Sequence, residues 1–247
     1  ARLHPASPYL ATRAAARGAP IAPPVAYRMK PVQREFGLDD EMARDCLRVA
    51  VKAAKLGQPV VIRGAPGTGK TALTDAVHRH AQPGKPLIVI DCHRLCREGG
   101  AEVLFQYAGP VGALSNGGTL VLENASAAKG QGLRQLETLL DGLGDALAAG
   151  LVSVLATDRV PPGEIGPRIV GRAGLKMLAV DLPPLALRAD FDKIARGVLA
   201  VLSPAHQLST KALKALSDID RPGNMADLRH HLQVLVASYP AGVVRDS

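Results

Sequence analysis

Gly64-Ala65-Pro66-Gly67-Thr68-Gly69-Lys70-Thr71 satisfies the pattern G-x-x-x-x-G-K-[ST] at every fixed position. That combination of residue types is suited to phosphate. The glycines let consecutive backbone N–H groups turn inward around phosphate oxygens, and a helix starting there presents its positive N-terminus to the anion. The Lys70 ammonium has the reach for β- and γ-phosphates, the Thr71 hydroxyl suits Mg²⁺, and Ala72 continues the same turn of backbone. An apolar run, Pro59 to Arg63, precedes the loop and a helix-compatible stretch, Ala72 to Ala81, follows it. This strand–loop–helix context is what the pattern requires. The sequence therefore predicts a site for a nucleoside triphosphate and Mg²⁺.

Other reactive side chains are sparse. Cys92-His-Arg-Leu-Cys96 has the outline of half a metal site, but no second Cys/His pair stands at suitable spacing, so Cys46, Cys92 and Cys96 read as ordinary thiols. Three cysteines give no disulfide framework and favour a reducing compartment, here the cytoplasm. No apolar run approaches a membrane span. The formal net charge of +8 favours polyanionic partners, nucleotides and nucleic acid among them.

The elements that must position these residues follow from periodicity. Residues 1–37 form a Pro-rich arm; within 1–34 stand six Pro and six Lys or Arg, with no acid. After Asp39 or Asp40 as N-cap, Met42, Cys46, Val49, Ala53 and Leu56 recur at helical spacing, and Gly57 ends that helix. Pro59–Arg63, Leu87–Asp91, Gly118–Glu123, Leu151–Thr157 and Leu175–Leu182 are continuous apolar runs, expected of strands buried on both faces of a parallel sheet. Leu133, Leu136, Leu140 and Leu143 stripe a helix. Alternating strands and helices predict right-handed βαβ units with ligands at the strand C-termini. Past Pro183-Pro184 the strand pattern stops. Phe191, Ile194, Val198 and Leu202 mark one helix, Ser209 caps a second carrying Leu213 and Leu216, and Leu228, Leu232 and Leu235 stripe a third that begins near Asn224.

The ordered motifs resemble the AAA+ domain of the bacterial sigma-54-type activators, or enhancer-binding proteins, from about residue 38 to residue 239. The likeness is carried by Gly117-Gly-Thr-Leu-Val-Leu-Glu-Asn124 at the family's Walker B segment, by Leu182-Pro-Pro-Leu185 with Arg188-Ala-Asp190 at its link into the lid, and by Arg221-Pro-Gly-Asn-Met-Ala-Asp-Leu228 at its lid signature. His78-Arg-His80 also sits where the family often has those residues. The resemblance implies an α/β AAA+ P-loop NTPase: a parallel five-stranded sheet sandwiched by helices over 38–186, a small helical lid over 187–240, and a tail from 241. It further implies ATP as nucleotide, a homo-oligomeric ring or dimer, RNA polymerase as a partner, and DNA contacted through a helix-turn-helix outside this chain.

Departures from the family pattern fall on its catalytic positions. Where the family has Asp-Glu at Walker B, this chain has Glu123 and Asn124: a carboxylate near the metal, then an amide that binds water but cannot take its proton. The family's strand-two Asn is here Asp91, so acid and amide have exchanged places and their hydrogen bond is expected to survive. At sensor I, Thr157 is followed by Asp158, which either repels the γ-phosphate unless screened or replaces the missing base. The sensor II arginine is replaced by Ala226, with Arg229 one turn further on as a substitute. Arg168 and Arg172 lie near the family's subunit-bridging arginines. The Gly-Ala-Phe-Thr-Gly-Ala loop has no counterpart among Gln106 to Asn116. Three outcomes stay open: a nucleotide-binding regulator with weak or no hydrolysis, a working ATPase motor of this or the MoxR-like kind with rearranged groups, and a scaffold without a nucleotide cycle.

Overall fold

The computed structural model describes residues 40–97, 109, 111–159, 177–219, 222–240 and 242–244. Five strands, β1 (Val60–Arg63), β2 (Leu87–Asp91), β3 (Gly118–Glu123), β4 (Val152–Asp158) and β5 (Leu178–Asp181), form one sheet in the order β2-β3-β4-β1-β5, every pairing parallel. The runs read as doubly buried strands are such strands in β1 to β4; β5, at the edge of the sheet, buries Val180 but leaves Ala179 and Asp181 exposed. Alternate side chains feed two separate cores. Ile88, Ile90, Leu120, Leu122, Val154 and Ala156 face one side. Val60, Ile62, Leu87, Val121, Leu155 and Val180 face the other.

Helices cover both faces, as a parallel sheet requires. α1 (Glu41–Lys55) and α2 (Lys70–Ala81) pack on one side. On the other side lie α3 (Cys92–Arg97), α4 (Gly130–Asp141) and α5 (Gly144–Ala148). Leu143 stands past the end of α4, at the N-cap of α5, and is buried there.

The buried face of α1 departs from the spacing read in the sequence. Ala43, Leu47, Ala50, Ala53 and Ala54 are buried, so Ala53 of the expected stripe holds, whereas Met42 is 56% and Leu56 72% exposed. Alanines dominate that face because α1 lies close against α2 and β5, with Leu47 the larger side chain buried among them.

Three further helices, α6 (Phe191–Leu202), α7 (Thr210–Asp218) and α8 (Met225–Ser238), enclose a third core of Phe191, Leu199, Leu213, Leu228 and Leu232. Ser209 caps α7 through the Ala212 N–H. Contrary to the reading that strands cease after Pro183-Pro184 and that 241 begins a tail, β6 (His206–Leu208) and β7 (Gly242–Val244) pair in parallel. Three-residue strands bury too little to leave a periodic signal.

The two parts are joined through Asp40. Its carboxylate caps α1 at the Ala43 N–H (2.8 Å) and accepts from the Ala189 N–H (2.9 Å). Burial pushes this carboxyl up, yet those two N–H groups and the Arg188 guanidinium outweigh it and hold the group below its ordinary value. Beside it Arg188 and Asp190 form a buried two-pronged ion pair at 2.8 and 2.7 Å.

The tight α1 face generates a prediction. Ala50→Leu is expected to lower stability by about 1–3 kcal/mol through overpacking. Met42→Lys, on the exposed side, should cost less than about 0.5 kcal/mol. Shifts in the urea midpoint at constant slope check both.

Candidate nucleotide site

Parallel register brings the chemistry to one edge. Asp91 pairs with Glu123 and Arg63 with Asp158, so the last residues of four strands stand side by side, and Gly64 opens the loop directly after Arg63. Arg63 is itself fixed by a two-pronged ion pair to Asp181 at the end of β5, its Nε–H donating at 2.6 Å.

The loop is tied down from its carbonyl side. Lys70 Nζ donates to the carbonyls of Gly64 (2.8 Å) and Ala65 (2.9 Å), and the buried Thr68 hydroxyl donates to Ala65 (3.0 Å). Gly69 has φ +102° as N-cap of α2, which begins at Lys70 rather than at Ala72. Ala72 packs into the core beneath. The Lys70 ammonium is held below its ordinary value, first by burial and then by the Arg159 guanidinium, while Asp158 and Glu123 pull the other way. Thr71 Oγ1–H donates to Glu123 Oε1 at 3.4 Å. A hydroxyl and a carboxylate so placed are the hard oxygen donors that Mg²⁺ takes. Glycines at +76° and +102°, a lysine and a helix start together fit a polyphosphate.

Asn124 follows Glu123 in the left-handed region, φ 53° and ψ 49°, which asparagine tolerates better than glutamate does. Its Nδ2 donates to Asp91 Oδ1 at 3.4 Å, the contact that an exchange of acid and amide calls for. Asp91 Oδ1 also accepts from the His93 N–H at 3.0 Å.

Asp158 is only 4% exposed. It accepts from the Ser126 N–H (2.8 Å), the Ser126 hydroxyl (3.0 Å) and the Arg159 N–H (2.6 Å). Three donors on one carboxylate make it a brace between the ends of β3 and β4.

Other candidates separate. Ala226 and Arg229 are exposed near the start of α8. Met225, one turn before Arg229, donates its N–H to the Gly67 carbonyl at 3.2 Å. His78 is buried, bonded to Thr119 Oγ1 at 2.8 Å, and burial holds it below its ordinary value. Cys46, Cys92 and Cys96 are free thiols, and no cluster suited to a metal occurs among the described residues. Arg168 and Arg172 lie outside the described residues.

Sequence reasoning passed over three participants. Ser126 follows Glu123-Asn124 without periodic signal, and Arg159 follows Asp158 with no motif to mark it. Asn224 was legible as part of the lid signature but not as a neighbour of the loop. It is 3% exposed, and its Nδ2 donates to the Pro66 carbonyl at 3.0 Å.

Comparisons with known proteins agree with this geometry. The model of one family, the sigma-54 interaction domain, matches residues 37–128, so the resemblance carried by the motifs is borne out over that segment. No curated protein matches the chain. The structure of NtrX from Brucella abortus in complex with ATP is similar over 87% of this chain and 56% of that one, at 15% identity and TM-score 0.63. Domain III of the replication initiation protein DnaA from Thermotoga maritima is similar over 81% of this chain and 85% of that one, at 19% identity and TM-score 0.57. AMPPCP-bound DnaA from Aquifex aeolicus is similar over 84% and 64%, at 18% identity and TM-score 0.57. This chain thus spans little more than half the NtrX chain, 56% of it. The fold is that of the AAA+ P-loop NTPases, a parallel five-stranded sheet with flanking helices. Among the described residues no helix is long and apolar enough to cross a membrane.

The Asp158 brace makes a direct prediction. Asp158→Ala leaves three part-buried donor bonds without their acceptor and is expected to destabilise the protein by about 1 kcal/mol. An unchanged denaturation midpoint would show that the carboxylate is not structural.

Proposed function

We propose that the chain is the ATP-binding AAA+ module of a bacterial transcriptional regulator, in which binding of ATP and Mg²⁺ is the working event and hydrolysis is weak or absent. The observation that carries this reading is the end of β3, where Glu123 meets the Thr71 hydroxyl and the next residue is an amide bound to Asp91.

On this reading Lys70, the N–H groups of Gly64 to Ala72 and the positive end of α2 hold the triphosphate, while Thr71 and Glu123 hold the metal. Bound Mg²⁺ supplies neutralisation of the phosphate charge. Arg159, the residue after Asp158, adds a cation at the end of β4, and Arg229, on the Met225 side of α8, stands in for the absent sensor II arginine. Asn124 orients water without accepting its proton; loss of a positioned base costs ~10²–10⁴-fold in rate. Glycine-rich sigma-contacting sequence is missing between Phe105 and Gly117, which supports action independent of sigma-54. Arg168 and Arg172 are proposed to bridge subunits of a homo-oligomer, with DNA contacted by a helix-turn-helix outside this chain, RNA polymerase as a further partner and the cytoplasm as the compartment.

A second reading, an active ATPase motor with rearranged groups, is favoured by one contact. The Asp91 carboxylate lies a single hydrogen bond from Asn124, so a water held by the amide has an acid within reach.

Steady-state phosphate release, run beside a fluorescent-nucleotide titration, separates the two. Wild type is expected to bind ATP–Mg²⁺ and release phosphate no faster than Lys70→Ala, which should not bind. Lys70-dependent release would favour the motor, and no binding by wild type would leave only a scaffold. The swap Asp91→Asn with Asn124→Asp returns the acid to the β3 end while keeping the hydrogen bond, and is expected to raise release by roughly 10²-fold. Arg159→Ala should weaken ATP relative to ADP by about tenfold, the scale of one lost charge-assisted contact; equal losses for both nucleotides would remove Arg159 from the γ-phosphate.

A further inference from the structure

The junction of the phosphate loop with the start of α8 is made by one side chain. Asn224 is buried, and its side chain makes three hydrogen bonds to different segments. Its carbonyl accepts from the Leu185 N–H at 2.7 Å, and its amide donates to the Pro66 carbonyl at 3.0 Å and the Pro222 carbonyl at 3.2 Å. Two carbonyls and one N–H surround it, so a single amide orientation satisfies the set. Leu185 belongs to the link between the sheet and the lid, Pro66 to the phosphate loop, and Pro222 to the lid signature.

The backbone is built around the same contact. Asn224 holds φ 51° and ψ −112°, outside the regions open to ordinary L residues, a strain of about 1–3 kcal/mol that persists only where the surroundings impose it. A Cβ added at Gly67 would come within 2.2 Å of the Gly223 carbonyl oxygen, so only glycine allows this approach, and the Met225 N–H closes on the Gly67 carbonyl at 3.2 Å. Asp227 Oδ2 accepts from the Gly223 N–H at 2.7 Å and fixes the turn from behind.

We propose that Asn224 is a positioning residue that makes the phosphate loop and the lid a single mechanical unit, so that the loop's conformation sets the lid's orientation through the Pro66–Asn224–Leu185 bridge. The nucleotide-dependent half of this proposal rests on the reading given above; the coupling itself does not. Loop carbonyls that shift take the amide with them, and the same amide carries the carbonyl on which the Leu185 N–H is seated. A buried polar group with three partners has two discrete outcomes, all satisfied or several broken, and that discreteness is what transmits a small displacement.

Amide hydrogen exchange on the full chain tests this. Asn224→Gly keeps the unusual backbone accessible without strain and removes the side chain. Without nucleotide, exchange at the Leu185 and Met225 N–H groups is expected to rise together by about tenfold, although the Met225–Gly67 bond involves no atom of the Asn224 side chain. Sheet amides of Val61 and Ile62 should be unchanged, which controls for unfolding. Asn224→Asp, which keeps an acceptor for Leu185 but no donor for Pro66, should expose Met225 and spare Leu185. Met225 protection that survives in both variants would overturn the coupling. With ATP–Mg²⁺, wild type should change protection at Leu185 and Met225 as well as at residues 64–71, and Asn224→Gly at 64–71 alone. A wild type that binds nucleotide without any change at Leu185 or Met225 would overturn the nucleotide-dependent half. Absence of nucleotide binding would sink the functional reading by itself and leave the ligand-free result standing.

Discussion

Everything at the candidate site depends on the strands running parallel and in register. Side-by-side strands of one polarity end at one edge, and here the residues delivered to that edge are Arg63, Asp91, Glu123 and Asp158. They come from segments distant in sequence and share nothing locally. With the Gly64–Thr71 loop springing from the same edge, charged groups meet in a place that two apolar cores shield from both sides. That partial burial is why Lys70 loses part of its affinity for a proton although two carboxylates stand near it.

Within that row each acid has different work. Glu123 faces the Thr71 hydroxyl and the loop. Asp91 receives the Asn124 amide and the start of α3. Asp158 gives its oxygens to Ser126 and to its own neighbour's N–H. Counting acids at the edge therefore overstates how many are free to act on a ligand, since a carboxylate that already accepts three hydrogen bonds is part of the frame. Position 124 illustrates the converse. Its left-handed backbone suits asparagine, so the amide that donates to Asp91 is also the residue type its conformation favours.

The three-helix part, α6 to α8, is attached by polar groups that are almost wholly out of water. Asp40, Arg188, Asp190 and Asn224 are each 6% exposed or less. Buried polar groups are costly unless satisfied, and these are satisfied across the boundary: Asp40 on Ala189, Asn224 on Leu185 and Pro66. An apolar boundary tolerates sliding, because contact area changes gradually. A boundary of directed hydrogen bonds does not.

How much of this was legible beforehand divides along a physical line. The phosphate loop, the five apolar strands, the Ser209 cap and the three lid helices were legible because each is specified by neighbours within a few residues: glycine freedom, capping oxygens and side-chain period. The hydrogen bond between Asn124 and Asp91 was legible too, since both ends lie in recognisable segments. The buried face of α1, the β6–β7 pair, the bracing role of Asp158 and the reach of Asn224 to Pro66 were not. Those depend on which segments meet, and a contact between residues 66 and 224 leaves no periodic trace in either one. The sequence by itself determined which elements form and that one glycine-rich loop joins β1 to the helix carrying Lys70 and Thr71. Only the tertiary structure decided which acids remain available, and that the lid is hydrogen-bonded to that loop, because both are set by distances between parts of the chain that local propensity does not constrain.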